Sequence, residues 1–310
     1  MRTIFPDDLS HRGRHQLLLS GVAPRPVAFV SSQDEDGVVN LAPFSFFNVY
    51  ASKPPIIAIG PAISAKTGHV KDTWRNIMAT GECTISAVSF RMVGAMNLAA
   101  AEYPPEVDEY VKSGFTKAPS LLVRPPWVKE SPYAMECKLM ENIELRRDIG
   151  GNGNLMLLEA IAFHVSDSVY TDDKIDPRKM DLVARMAYGW YTHARADVIF
   201  DLAQPHQPCI GMDALPDHIR SSDVLTGNEL ARLAAVTVLP MLDGSFPQFP
   251  ESYAADSIEI ELSAGNPSGA LFALLRSERA HDRRMLHRIA QVYIAQGRIE
   301  EAWQTLLLEG

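Results

Sequence analysis

Two short segments combine residue types that can hold a ligand. The first is Asn40-Leu41-Ala42-Pro43-Phe44-Ser45-Phe46-Phe47-Asn48, which gathers polar side chains, small residues and three aromatics behind an apolar run. Pro43 has no N–H, which leaves neighbouring backbone donors free to face a ligand. A flat heteroaromatic ring needs that mixture: apolar walls, and a few aimed N–H and hydroxyl groups at its rim. Without a ligand, the same residues make an aromatic-rich core strand with a polar end. The second segment is Lys71-Asp72-Thr73-Trp74-Arg75-Asn76-Ile77. It places a lysine and a threonine at an expected helix start, where unpaired N–H groups and the helix dipole favour an anion. Ser64, Lys66 and Thr67 precede it in an expected loop. Together the segments suggest a seat for a ring that carries a phosphate.

Other chemistries find no support in the residue spacing. The nine histidines show no HExxH or HxH pattern, so no metal site is expected. There is no GxSxG elbow, no GxxxxGK[ST] loop and no GxGxxG after a strand. The net charge is −9; residues 1–200 carry 21 basic against 23 acidic side chains, and residues 201–310 carry 8 against 15. Such a balance opposes non-specific nucleic-acid binding, which works by neutralising phosphates. No run reaches the roughly 18 continuous apolar residues of a membrane span, and the N-terminus has no apolar signal core. Cys83, Cys137 and Cys209 are widely spaced and form no CxxC. Reduced thiols in a cytoplasmic protein are the expectation.

These residues need elements to position them. Arg25 to Val30 reads as a strand, Gln33 to Gly37 as a polar turn, and Val38 to Leu41 as the returning strand. Pro54-Pro55 introduces a strand over 56–59. Residues 72–80 read as a helix, with Asp72 as N-cap and Gly81 as stop. Glu82 to Val88 returns to strand pattern, and Ser89 is a candidate cap for a helix carrying Met92, Val93 and Met96. Residues 101–131 form a Pro-rich, acidic excursion. Ala134 to Leu145 and Leu155 to Val165 read as a strand pair joined by Gly150-Gly151-Asn152-Gly153. Strands without regular βαβ alternation argue for a β-barrel rather than a doubly wound sheet. Beyond residue 205, apolar spacing from Leu271 to Gln296 and again from Ile299 to Leu308 predicts a helical hairpin. Residues 290–302 resemble one tetratricopeptide-type unit, too few to form a stacked array. The expectation is a domain over 1–204 and an acidic, mainly helical extension over 205–310, which packs on the barrel or on a partner.

The ordered series of motifs resembles the flavin reductase-like, FMN-binding split-barrel family. It runs from Pro24-Arg25-Pro26-Val27-Ala28-Phe29-Val30-Ser31-Ser32, through Asp36 to Phe47, to Lys71-Asp72-Thr73 with Asn76-Ile77. Later pieces agree: Glu102-Tyr103, Val107 to Tyr110, Ser131-Pro132, Glu136 to Leu139, and Arg185 to Tyr191. The resemblance covers roughly residues 20–200. It implies a mainly β fold with α elements, a split β-barrel, and a homodimer with FMN held non-covalently near the subunit interface. It implies Ser31 and Ser32 beside the flavin, with Asn40, Leu41, Ala42, Pro43, Phe44 and Ser45 supplying bonds to the ring and ribityl chain. Lys71, Asp72 and Thr73 would form the phosphate end. Arg185 and Tyr191 would border the active site; a surface arginine and a packed aromatic are the plain alternatives. Glu159 reads as an ordinary strand residue and His164 as a structural histidine.

The implied activity is hydride transfer from NADH or NADPH to flavin N5. Two other readings stay open: a flavin-binding carrier or sensor without turnover, with its helices serving a protein partner, and a pyridoxamine-phosphate-oxidase-like enzyme.

Overall fold

A computed structural model describes residues 1–63, 68–145, 153–202, 204–205, 207–243 and 257–309. The expected positions Ser64, Lys66, Thr67, Gly150, Gly151 and Asn152 lie outside the described residues. The chain divides into two compact units, Met1–Asp201 and Leu202–Gly310.

In chain order the first unit begins with α1 (His11–Gly21), β1 (Arg25–Pro26), β2 (Ala28–Gln33), β3 (Val39–Phe44), β4 (Phe47–Ser52) and β5 (Pro55–Ile59). It continues with α2 (Asp72–Thr80), β6 (Glu82–Ala87), α3 (Val93–Leu98), α4 (Glu109–Ser113), β7 (Lys117–Ala118) and β8 (Trp127–Val128). The long strands β9 (Tyr133–Glu144) and β10 (Asn154–Val165) follow, then β11 (Tyr170–Thr171), β12 (Lys174–Ile175), α5 (Pro177–Met180), β13 (Val183–Arg185) and β14 (Tyr191–His193). Seven strands form one antiparallel sheet in the order β3-β2-β6-β9-β10-β5-β4, and β1-β13-β14 form a small second sheet.

The sheet buries both faces near its middle. On β2, Ala28 and Val30 join a core with Ile59, Ile85, Met156 and Leu158, while Phe29 joins Leu41, Met92, Met96 and Tyr110 on the other side. That explains why Ala28, Phe29 and Val30 at the start of β2 are apolar in succession rather than alternating with polar residues. The expected strand from Arg25 to Val30 is divided: Arg25–Pro26 pairs with β13, and Ala28–Gln33 pairs with β3 and β6. The polar turn after Gln33 closes on Asp34, which accepts from Gly37 N, while Gly37 sits at φ +93°.

Helix α2 spans the expected 72–80, and its Ile77 is buried in the sheet's core. Gly81 ends it in the left-handed region at φ 72°, a conformation that glycine adopts without penalty. The N-cap differs from expectation. It is Lys71, with no side-chain bond, and Asp72 is already the first helical residue. Asp72 pairs with Arg75 one turn on, which turns its carboxylate away from capping. Ser89 likewise begins a short 3-10 turn ahead of α3 without a side-chain cap bond. The 101–131 excursion holds α4 and the β7–β8 pair.

The second unit holds α6 (Asp217–Arg220), α7 (Gly227–Leu233), α8 (Ile258–Ser263), α9 (Pro267–Leu275), α10 (Arg283–Ala295) and α11 (Ile299–Leu306). It has a core of its own, built from Ile219, Leu233, Leu274, Leu286, Ile289, Tyr293 and Trp303 among others. The apolar run from Leu271 to Gln296 is therefore two helices, not one. The chain breaks after Leu275, where Ser277 Oγ donates to Leu274 O, and restarts at Asp282, whose side chain caps α10 by accepting from Met285 N. No described helix is long and apolar enough to cross a membrane.

Candidate functional site

A cleft of ≈ 330 Å³ opens in the first unit. That is about the lower end of the range for small-molecule sites, roughly 300–1,000 Å³. One wall is the end of β3, with Asn40, Ala42, Pro43 and Phe44. The facing wall is the start of α2 with its approach, from His69 to Thr73, together with Arg75. The stretch from Ala99 to Tyr103, with Pro105 and Glu109, closes the third side. The two segments singled out by residue type thus meet across one cavity.

The walls are tied together by side chains. Asn40 Nδ2 donates to Thr73 Oγ1 at 2.9 Å, and both residues are buried. One donor is enough to leave the Thr73 proton for another acceptor. Leu41 N donates to Glu109 Oε2 at 3.0 Å, which fixes β3 to the first residue of α4. Burial pushes the Glu109 carboxyl up from its ordinary value, against the Leu41 N–H that holds it down. Lys71 Nζ reaches Glu102 Oε1 at 3.1 Å, with the Lys71 side chain partly exposed and that of Glu102 largely solvated. Such an exposed pair contributes about 0–1 kcal/mol, so it yields readily to a competing anion.

The remaining expected residues stand elsewhere. Ser31 and Ser32 are buried in β2, opposite Leu41 and Asn40, and Ser32 Oγ accepts from Asn76 Nδ2 at 3.2 Å. The Leu41 side chain is in the core beside Phe29. Ser45, one residue past the cleft wall, accepts from Arg25 Nε at 3.4 Å. Arg185 and Tyr191 pair across β13 and β14, with Arg185 Nη1 donating to the Tyr191 hydroxyl at 2.5 Å. None of these six lines the cleft. Sequence reasoning in turn missed Glu109 and the Ala99–Ala101 wall as site residues. Asp108, which caps α4 by accepting from Tyr110 N, is the local signal that would have placed Glu109 at a helix start.

Two constellations that look chemical are structural joints. His164 Nε2 lies 2.7 Å from Glu136 Oε1, and its ring stacks on Trp127. The fully buried Glu136 also accepts from the N–H groups of Leu121, Leu122 and Val123, at 2.7, 2.6 and 3.1 Å. Burial pushes this carboxyl up, but the Leu121 and Leu122 donors and His164 outweigh it and hold Glu136 below the ordinary value. In the second unit Ser222 Oγ, His287 and Glu309 stand in a row, at 2.6 and 3.1 Å. Ser222 Oγ accepts from Val224 N and Leu225 N, so its lone pairs are already engaged and it is a poor nucleophile. Glu159 is a strand residue opposite Ile56 and Lys138. Among the described residues no group of His, Cys, Asp and Glu is arranged to hold a metal ion.

The residues present fit a phosphorylated aromatic ligand. Helix α2 starts without a side-chain cap, beside the Lys71 ammonium, and Pro43, Phe44 and the alanines 99–101 supply apolar walls.

Comparison with known proteins finds relatives of this chain. The flavin reductase like domain family matches residues 20–180. An uncharacterized protein of Halalkalibacterium halodurans is 37% identical over 60% of this chain and 90% of its own. Nitrilotriacetate monooxygenase component B from Bacillus cereus is 31% identical, with a TM-score of 0.60 over 66% of this chain and 98% of that one. A Shewanella frigidimarina protein assigned as a flavin reductase with a split barrel domain is 25% identical, with a TM-score of 0.54 over 64% and 93%.

Proposed function

The chain belongs to the flavin reductase-like family, and on that premise we propose that it is an FMN-dependent NAD(P)H oxidoreductase of the flavin reductase type. The observation that carries the reading is the cleft shared by β3 and the uncapped start of α2.

When bound, the flavin supplies the redox chemistry. The chain's own residues bind and orient. Lys71 and the first N–H groups of α2 hold the phosphate, with Lys71 exchanging Glu102 for it. Thr73 offers its hydroxyl proton while Asn40 fixes its oxygen. Pro43 and Phe44 present an apolar wall to the ring. No strong acid or base is needed for such a role; the cleft's titratable groups are Glu109, His69, Tyr103 and the Lys71–Glu102 and Asp72–Arg75 pairs. The relationship to component B of a monooxygenase supports a reductase that hands electrons onward.

The test is spectroscopic. Protein reconstituted with FMN and mixed anaerobically with NADH or NADPH should lose its flavin absorbance. A flavin-loaded protein that keeps its colour with both donors is a carrier, and the reductase reading then fails.

A further inference from the structure

Outside the cleft, the first unit contains a charge arrangement that its fold does not require. Arg25 and Arg185 stand directly opposite each other on β1 and β13. Like charges in that position destabilise a sheet. Arg25 is buried, at 6% exposure, yet its partners are all neutral. Its Nη1 donates to Leu19 O and Val22 O, its Nη2 to Met186 O, and its Nε to Ser45 Oγ. Arg185 donates to the Tyr191 hydroxyl and to Tyr188 O, and its guanidinium rests on the Tyr191 ring at 4.6 Å. Neither guanidinium has a carboxylate partner among the described residues, in a chain whose net charge is −9. Burial, with Arg185 adding to it, pulls the Arg25 pKa down. The environment therefore lacks a negative charge.

Donor capacity remains. A guanidinium carries five N–H donors. Arg185 uses two of them and is only partly buried. Beside it, the 186–190 loop carries Tyr188 in the left-handed region at φ 55°, and exposes Trp190. A bulky residue at positive φ is held there by its surroundings, here by the Arg185 bond to Tyr188 O and by Arg25 on Met186 O. Ser45, which Arg25 grips, follows directly on Phe44 of the cleft wall. Through Ser45, the pair of cations is tied to the residue that follows Phe44 of the cleft wall.

We propose that Arg185, backed by the buried Arg25, is a binding site for the oxyanion of a second substrate, a phosphate or carboxylate group on the molecule that meets the flavin. The planar fork of Arg185 suits either group in a bidentate pair. Arg25 is a positioning residue: it supplies charge from behind and fixes the loop. The proposal deepens the oxidoreductase reading and rests on it for the words "second substrate"; the anion site itself rests on the geometry of the two arginines.

The experiment compares wild type with Arg185→Gln and Arg185→Lys. Arg25 is left intact because four of its bonds hold three segments together. Trp190 fluorescence reports binding to both flavin-free and FMN-loaded protein, with Trp190→Phe assigning the signal. The probes are NADH against reduced nicotinamide riboside, which lacks phosphate, and 4-nitrobenzoate against the uncharged 4-nitrobenzamide. Arg185→Gln should weaken one anionic probe about tenfold or more, with Arg185→Lys recovering part of the loss. The uncharged probe of that pair and FMN itself should shift by less than about twofold. Loss with NADH assigns the site to the donor's phosphates; loss with nitrobenzoate assigns it to a carboxylate acceptor. The proposal is overturned if charged and uncharged probes change equally, if neither changes, or if FMN is weakened as much. Arg185-dependent anion binding in a protein that takes no flavin would defeat the oxidoreductase reading alone, whereas turnover with Arg185-independent binding would defeat this one alone.

Discussion

Two places in the first unit gather backbone N–H groups around room for a negative charge, and they are finished differently. At Leu121–Val123 the N–H groups converge on the protein's own Glu136, fully buried and backed by His164. At the start of α2 no side chain closes the turn, and Lys71 holds only a solvated Glu102 at the rim. The first arrangement is complete without a ligand and pins a loop. The second retains donor capacity beside apolar walls. A cluster of donors is therefore no evidence of a site until one asks what already fills it. The same question separates Ser222, whose oxygen is occupied, from Arg185, whose fork is only partly used.

The contrast can be broken by substitution. Glu136→Ala leaves three N–H groups and His164 facing an empty position; it should cost about 3–5 kcal/mol of stability, read by urea denaturation. If it costs nothing, the loop does not depend on the carboxylate. Thr73→Val removes the acceptor of the Asn40 amide and a donor to the cleft. A stability loss of about 1–3 kcal/mol is expected, together with weaker FMN binding by equilibrium dialysis. A variant that loses stability but binds FMN normally would place the ligand elsewhere.

The pH dependence sharpens the same distinction. The Glu136 carboxyl titrates below its ordinary value in the folded protein, so its contribution is present above the unfolded value of about 4.3 and is lost as pH falls through the folded one. Glu136→Gln should flatten the fall in stability on the acid side of that window in denaturation series, while leaving stability near pH 7 less changed than Glu136→Ala does. The smallest effect is at Lys71. Lys71→Met should alter stability by no more than about 1 kcal/mol, while FMN affinity falls and loses part of its salt dependence.

Much of the barrel was legible because its signals are local. The turn at Asp36-Gly37, the glycine stop after α2 and the β9–β10 pair follow from residue type and period. The two ligand segments were legible for the same reason, since each is contiguous. What escaped depends on distant partners. Glu109 lines the cleft because α4 carries it to Leu41, 68 positions away in sequence. Leu41 stands between the cleft residues Asn40 and Ala42, but alternation along β3 sends it into the core; Ser31 is its partner on β2, and Ser32, opposite Asn40, is taken up by Asn76 of α2. Between α9 and α10 the break carries neither proline nor glycine; it rests on Ser277 and Asp282, polar residues that a heptad reading passes over. Helix α1 was missed because it buries none of its residues and shows no apolar face.

The bond from Asn40 to Thr73 has one more consequence. It joins strand and helix on opposite sides of the opening, so neither can swing out without breaking a buried hydrogen bond. The jaws are thereby held at a set gape before anything arrives. Docking of a rigid guest should then proceed in a single kinetic phase, at a pace set by encounter rather than by rearrangement of the host.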